Sequence, residues 1–343
     1  MRWPLSFLDL TPIPPGGDAA DALRLATELA QEAERLGFAR YWFAEHHNMP
    51  GLASAVPEVM IAHVAARTGR IRVGSGGVML PNHAPLRVAE AFRLLEALHP
   101  GRIDLGLGRA PGTDTVTALA MRRSRAALTA DDYPELLAEL LALDGGGFPP
   151  GHPFGSVRPV PVDGRLPPVW LLGSSDFSAR MAAETGMAFA FAAHISRAGA
   201  VPALRDYRSR FVPSARWPGP RAMLTVSVTV GETAAHAAQL ARVGDLVLLR
   251  LRSGRPGRYP SLAEALAYPW SDAERALLAT MPLNAFVGDA ATVHEQVAAL
   301  AEATGADEIM LTTMMPEPGD RRRALVRLAE LFGLPGAVAT PFV

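Results

Sequence analysis

The run Arg40-Tyr41-Trp42-Phe43-Ala44-Glu45-His46-His47-Asn48 carries an apolar, aromatic stretch that ends in a carboxylate and two imidazoles. Such groups titrate or hydrogen-bond near neutral pH, and the carboxyl end of a strand is where a parallel α/β protein does its chemistry. Three uses compete for these residues. His46, with Glu45 or His47 behind it, can serve as a general base or as a hydrogen-bond partner of a reacting group. All three are also metal ligands by type, but alternation along a strand turns His46 away from Glu45 and His47, so no metal is expected. The other metalloenzyme look-alike, His294-Glu295, has Ala298 where an HExxH motif needs its second histidine. In the plainest reading the two histidines only cap the strand with hydrogen bonds.

Two further stretches have the composition of a ligand site. Between Val73 and Pro81, Gly74, Gly76 and Gly77 fall within four residues, and glycine inside a strand marks a bulge or a close approach of backbone to a ligand. Ser75, Gly76 and Gly77 therefore suit a flat ligand lying on bare backbone, while tight packing inside a small barrel accounts for them equally well. In Leu171 to Ser178, the small residues Gly173, Ser174 and Ser175 lead into a helix. Free N–H groups and the positive end of the helix dipole are a setting for phosphate, and a plain N-cap is the alternative. Arg109 ends another strand and is placed to face that helix across the mouth, offering charge-assisted bonds. Neither Val73 to Pro81 nor Gly106-Leu107-Gly108-Arg109-Ala110-Pro111-Gly112 has the GxGxxG spacing of a dinucleotide fingerprint.

These residues need a scaffold, and apolar periodicity supplies one. Eight strands are expected: Pro4 to Leu10, Arg40 to Glu45, Ile71 to Leu80, Ile103 to Arg109, Val169 to Ser174, Ala188 to His194, Ala222 to Val230 and Glu308 to Thr313. Helical patterns lie between them. Ala22, Leu25, Ala26, Leu29, Ala33 and Leu36 make one stripe that Gly37 stops, and Val88, Ala91, Phe92, Leu95 and Leu98 make another that ends at Pro100-Gly101. Alternation of this kind predicts one (β/α)8 barrel across residues 1–343, with a doubly wound sheet as runner-up. Two insertions are expected, Gly145 to Pro168 before the fifth strand and about Arg250 to Pro282 after the seventh. Within the second, the segment from about Arg250 to Trp270, with Gly254, Pro256, Gly257 and Pro260 as breakers, is predicted to be a mobile lid over the barrel mouth. In that barrel Asp9 and His194 end strands one and six and would point into the mouth as substrate or cofactor-edge contacts, with His83 on a nearby loop.

Composition narrows the function classes. The 33 basic and 34 acidic residues nearly cancel, so no global field draws in nucleic acid or anionic lipid. The absence of Cys removes disulfides, thiolate nucleophiles and Cys-bound metals. The start, Met1-Arg2-Trp3-Pro4, lacks a signal peptide's apolar core, and no stretch reaches the roughly 18 apolar residues of a membrane span, so the cytoplasm is expected.

Taken together, the motifs resemble the bacterial luciferase-like flavin monooxygenase family. The resemblance rests on Glu45-His46-His47, on Val73 to Pro81 followed by Asn82-His83-Ala84-Pro85, on Gly101 to Gly106 leading to Arg109, on Gly173-Ser174-Ser175, and on Phe286-Val287-Gly288-Asp289 with Gly305 to Glu308. It runs through nearly the whole chain, and the order and spacing of the motifs are more specific than any one of them. It implies a (β/α)8 barrel that binds flavin mononucleotide (FMN), reduced by a separate flavin reductase, and that oxygenates a small organic molecule through a C4a-peroxyflavin. It further implies a non-proline cis peptide at Gly76-Gly77, phosphate contacts at Arg109, Gly173 and Ser174, His46 as the mechanistic histidine, and a homodimer packed through helices at about Pro57 to Ala66 and Leu86 to Leu98. Luciferases proper commonly carry bulkier residues at the glycine pair and an aromatic near Pro111 or Gly112, so light emission is not expected. A deazaflavin (F420)-dependent hydride transferase, a flavin-binding protein without turnover and a metal-dependent barrel hydrolase are the competing functions.

Overall fold

A computed structural model describes residues 3–110, 112–122, 132–280, 284–315 and 317–337. Ten strands are present among them: β1 Leu5–Asp9, β2 Arg40–Phe43, β3 Arg72–Ser75, β4 Val78–Met79, β5 Ile103–Gly108, β6 Val169–Gly173, β7 Ala188–Ala192, β8 Ala222–Gly231, β9 Ala285–Asp289 and β10 Glu308–Thr312. Every pairing is parallel, and the order β10-β1-β2-β3-β5-β6-β7-β8 closes because β10 also pairs with β8. The result is a closed eight-stranded (β/α)8 barrel, and the doubly wound alternative falls away. β4 continues β3 beyond a break and pairs with β5.

The eight expected strands all form. β9 was read only as part of the last strand-helix unit. It is a strand outside the barrel, pairing Ser227 to Gly231, where β8 rises past the point at which β10 leaves it. The helix over the first crossover, Ala19–Leu36, forms for the reasons its sequence predicts. Asp18 and Asp21 make a capping box, the buried face is the Ala22, Ala26, Leu29, Ala33 and Leu36 stripe, and Gly37 stops the helix at φ 92°. The first insertion is irregular up to β6, as expected. The second begins later than expected, because the helix Ala234–Arg252 continues through Arg252; it then holds two short helices, Leu262–Ala267 and Asp272–Thr280. Its last residues, 281–283, lie outside the described residues. No described helix is long and apolar enough to cross a membrane.

Side chains that alternate inward fill the lower barrel in two layers. At the foot, Asp104 and Glu308 are fully buried and shared among arginines: Arg40 lies 2.7 Å from Asp104 and 2.8 Å from Glu308, Arg72 lies 2.7 Å from Asp104, and Arg221 lies 3.1 Å from Glu308. Buried carboxylates are tolerated only when paired in this way. Above them sit Leu8, Trp42, Trp170, Met223 and Met310, the two indoles edge-on at 5.7 Å.

Candidate active site

Above the tryptophans the barrel is hollow. A cavity of about 390 Å³ opens at the carboxyl ends of the strands, inside the roughly 300–1,000 Å³ range of small-molecule sites. Its walls are apolar where Leu172, Ala190, Ala192 and Met310 face in, and its polar atoms come from His46, Arg109, Ser174, Ser175, Ser178, His194 and Thr225.

Strand alternation sorts the β2 residues. Trp42, Ala44 and His46 face inward, while Tyr41, Phe43 and Glu45 face the helices. Glu45 and His47, expected beside His46 in the chemistry, therefore do not line the cavity. Glu45 is instead a buried latch behind the strand. It accepts the Met79 N–H at 2.9 Å and meets His47 Nε2 and His83 Nε2, each at 2.9 Å. Burial alone would raise its carboxyl, but the hydrogen bonds and charge from His83, with Met79 and His47, hold it below the usual range. His83 is thereby turned away from the mouth where it was expected. Burial depresses its imidazole, yet the bond to Glu45 leaves it raised. Among the described residues, no group of three His, Cys, Asp or Glu is arranged to hold a metal.

His46 is half-buried against the cavity, and its Nδ1 is wholly shielded without a hydrogen-bond partner among the described residues. Burial lowers its pKa, with Glu45 pulling the other way, so the ring is neutral at neutral pH. A buried polar atom without a partner is costly unless a ligand supplies one. His194 lines the same cavity as expected, its Nδ1 3.4 Å from the Thr225 carbonyl, and burial pushes it down to about 4.

Asp9 corrects an expectation. Leu8 and Leu10 are the β1 residues that face inward, so Asp9 between them points outward, where it is buried against Arg321 at 2.6 Å, the Thr11 N–H at 2.8 Å and the Tyr41 hydroxyl. It is a structural anchor for the helix Pro318–Leu331 and does not touch the cavity.

The glycine-rich segment forms one wall. Gly76 and Gly77 line the cavity and are joined by a cis peptide. Tight packing accounts for these glycines, because a Cβ on Gly76 would sit 2.6 Å from the Leu8 side chain and one on Gly77 would sit 2.8 Å from the Gly106 carbonyl oxygen. Ser75, expected to touch a cofactor, faces β5 instead; its hydroxyl accepts the Gly106 N–H and donates to the Gly106 carbonyl, both at 2.9 Å.

At the opposite wall, Gly173, Ser174 and Ser175 lead into the helix Asp176–Glu184, and the N-cap Ser175 makes no side-chain capping bond. Asp176 takes the Phe177 N–H and is itself paired with Arg180 at 2.8 Å. Arg109 lines the cavity with these residues, its guanidinium held over the Phe177 ring at 4.6 Å. A cation at a helix N-terminus fits a phosphate. Gly173 admits the helix, since a Cβ there would lie 2.3 Å from Ser178.

A second chamber, about 180 Å³, adjoins the first and shares Leu10 and His46 with it. Val247, Arg250, Leu251 and the loop Pro256 to Tyr259 form its outer side, so the second insertion does stand over the mouth. That loop is pinned by Tyr259, whose hydroxyl lies 3.2 Å from Met314 Sδ, and by Arg258 Nη1, which donates to the Gly17 carbonyl at 3.2 Å. Gly51 lets the loop come close, because a Cβ there would lie 2.8 Å from the Tyr259 ring. The sequence singled out none of the chamber's walls apart from His46 and this loop.

The family profile of luciferase-like monooxygenases matches residues 4–308. The uncharacterized protein YvbT of Bacillus subtilis is 44% identical over 328 residues, covering 96% of each chain. A luciferase-like monooxygenase of Escherichia coli is 44% identical over 306 residues, 89% of this chain and 90% of that one. N-acetyl-S-alkylcysteine monooxygenase of Bacillus subtilis is 42% identical over 212 residues, 60% of this chain and 61% of that one. Among solved structures, apo-MsnO8 superposes with a TM-score of 0.88 at 36% identity, over 99% of this chain and 100% of that one. The barrel is shared at lower identity, 20% with a TM-score of 0.66, by the oxygenating constituent of 3,6-diketocamphane monooxygenase from Pseudomonas putida, solved with FMN; 97% of this chain and 98% of that one are covered. On profile, relatives and fold alike, this chain belongs to the luciferase-like monooxygenase family.

Proposed function

We propose that the protein is an FMN-dependent monooxygenase acting on a small organic molecule. The observation that carries this reading is His46, whose shielded ring nitrogen has no partner among the described residues, standing between a cavity that ends at Arg109 and a helix N-terminus and a second, mostly apolar chamber. The residues fit the group: Arg109, Gly173, Ser174 and Ser175 suit the phosphate, and Gly76-Gly77 with Leu172 and Met310 suit the ring system. When bound in its reduced form, FMN supplies two electrons to dioxygen, so that one oxygen atom enters the substrate and the other leaves as water. Every other requirement falls on the protein. The apolar walls exclude water, and His46 accepts or holds a proton beside the reacting atoms. The name of one relative, N-acetyl-S-alkylcysteine monooxygenase, accords with an organic substrate of this size.

Flavin titration tests the cofactor. Arg109→Ala is expected to weaken FMN binding about tenfold or more, since hydrogen bonds to charged groups contribute roughly 1.5–3 kcal/mol and 1.4 kcal/mol is one decade. An unchanged affinity removes Arg109 from the site. Incorporation of an oxygen atom from labelled dioxygen into product, with a flavin reductase supplying reduced FMN, then separates an oxygenase from a deazaflavin-dependent hydride transferase, which incorporates none.

The exposed side chains Val59 (64%), Leu94 (54%) and Leu98 (59%) on the helices Pro57–Ala65 and Pro85–Leu98 support a homodimer through that face. Light scattering is expected to give twice the chain mass, and Leu94→Arg to halve it. A monomeric parent protein overturns the dimer.

A further inference from the structure

Beyond His46 the mouth of the barrel opens into the second chamber, whose walls are Leu10, Met49, Leu52, Val247, Leu251 and Met314. None of these side chains carries a charge or a strong hydrogen-bonding group, so what lies among them is held by dehydration of its own apolar surface. The volume, about 180 Å³, equals about six waters at the roughly 30 Å³ each occupies in the liquid.

The polar side chains are distributed along the chamber and not mixed through it. His46 stands at the inner end, shared with the cofactor cavity. Arg250, half-buried, and Arg258, exposed, stand at the outer end, the Tyr259 hydroxyl is turned to Met314 Sδ, and no carboxylate among the described residues lines the chamber. Their hydrogen bonds go to main-chain oxygens, from Arg250 Nη1 to the Arg258 carbonyl at 3.4 Å and from Arg258 Nη1 to the Gly17 carbonyl at 3.2 Å. The acidic group that feels Arg250 is Glu264, whose carboxylate is committed to the Ser261 cap of its own helix. Two guanidiniums thus line a mostly apolar chamber with no carboxylate beside them among the described residues. Arginine's planar fork matches a carboxylate in two parallel bonds.

We propose that the second chamber binds a small organic carboxylate, with its apolar end at His46 and its carboxylate on Arg250 at the rim. For turnover this rests on the oxygenase reading above; for binding it does not. The orientation follows from the layout, because the reverse placement would bury an anion among aliphatic side chains. It would present a carbon or sulfur of the apolar end to the reacting oxygen and leave the carboxylate untouched.

The test uses the FMN-loaded full chain and three probes of one length: hexanoate, hexan-1-ol and hexylamine, titrated by calorimetry. Hexanoate is expected to bind at least tenfold more tightly than the alcohol, and the amine more weakly than either. Arg250→Gln should lower hexanoate affinity about tenfold and leave the alcohol unchanged, while Val247→Trp, which fills the chamber, should abolish binding of both probes and spare FMN, whose cavity Val247 does not line. Equal affinities for the three probes overturn the carboxylate assignment, and hexanoate binding that survives Val247→Trp overturns its location. The two proposals fail separately. A protein that binds FMN and hexanoate as described but forms no oxygenated product with reduced flavin and dioxygen loses the oxygenase reading and keeps the chamber.

Discussion

His46→Ala is expected to fold and to take up FMN with unchanged affinity, yet to lose oxygenated product by roughly 10²- to 10⁴-fold, the range for a positioned acid or base. Oxygen should still be consumed, with hydrogen peroxide replacing product. The distinction matters because a histidine that merely braced the strand would change stability and leave this partition alone. The acid-base role also has a pH signature. Burial lowers the His46 pKa, so its neutral form predominates above the ordinary histidine range and below it for some distance. Product yield per oxygen should be level through neutrality and fall only on the acid side, as the ring becomes charged. A His46→Ala variant that turns over like the parent, or a parent whose yield falls toward alkaline pH, assigns the proton chemistry elsewhere.

The largest expected loss of stability lies at the other face of the barrel wall. Arg321 and Asp9 are both nearly inaccessible, with side-chain exposures of 2% and 0%. Arg321→Ala leaves the Asp9 carboxylate buried with only the Thr11 N–H and the Tyr41 hydroxyl, and breaking a buried pair from one side costs about 3–5 kcal/mol. Replacing both partners, as in Asp9→Leu with Arg321→Met, removes the charge problem together with the bond, and much of the loss should return. Urea unfolding of the two single variants and the double variant measures this directly. If Arg321→Ala unfolds within about 0.5 kcal/mol of the parent, as a surface change would, the pair is not the anchor described here.

The barrel was legible in the sequence because its strands are short apolar runs between helices whose stops are explicit, as at Gly37 and at Pro100-Gly101. β9 was not, because a strand outside the barrel differs from a barrel strand only in which edge it meets, and no local signal encodes that. Within the site, the period of two placed His46 apart from Glu45 and His47 before any coordinates. The same rule applied to β1 would have set Leu8 and Leu10 inward and Asp9 outward; polarity was given precedence over period at that position, and period was right. Ser75 shows the limit from the other side. Its hydroxyl is spent on the Gly106 main chain, and which of several small polar residues finds a backbone partner depends on register across two strands. The second chamber was the least legible part, since it draws Leu10, Met49, Val247 and Met314 together from segments far apart in sequence.

The layer of ion pairs at the foot of the barrel has a kinetic meaning as well as a structural one. With Asp104 and Glu308 locked to three arginines, and Trp42 and Trp170 stacked above them, the cylinder is stoppered at one end. Everything that visits its interior must come and go through the same opening. The chamber beside His46 and the deeper cavity share that mouth and meet at Leu10 and His46.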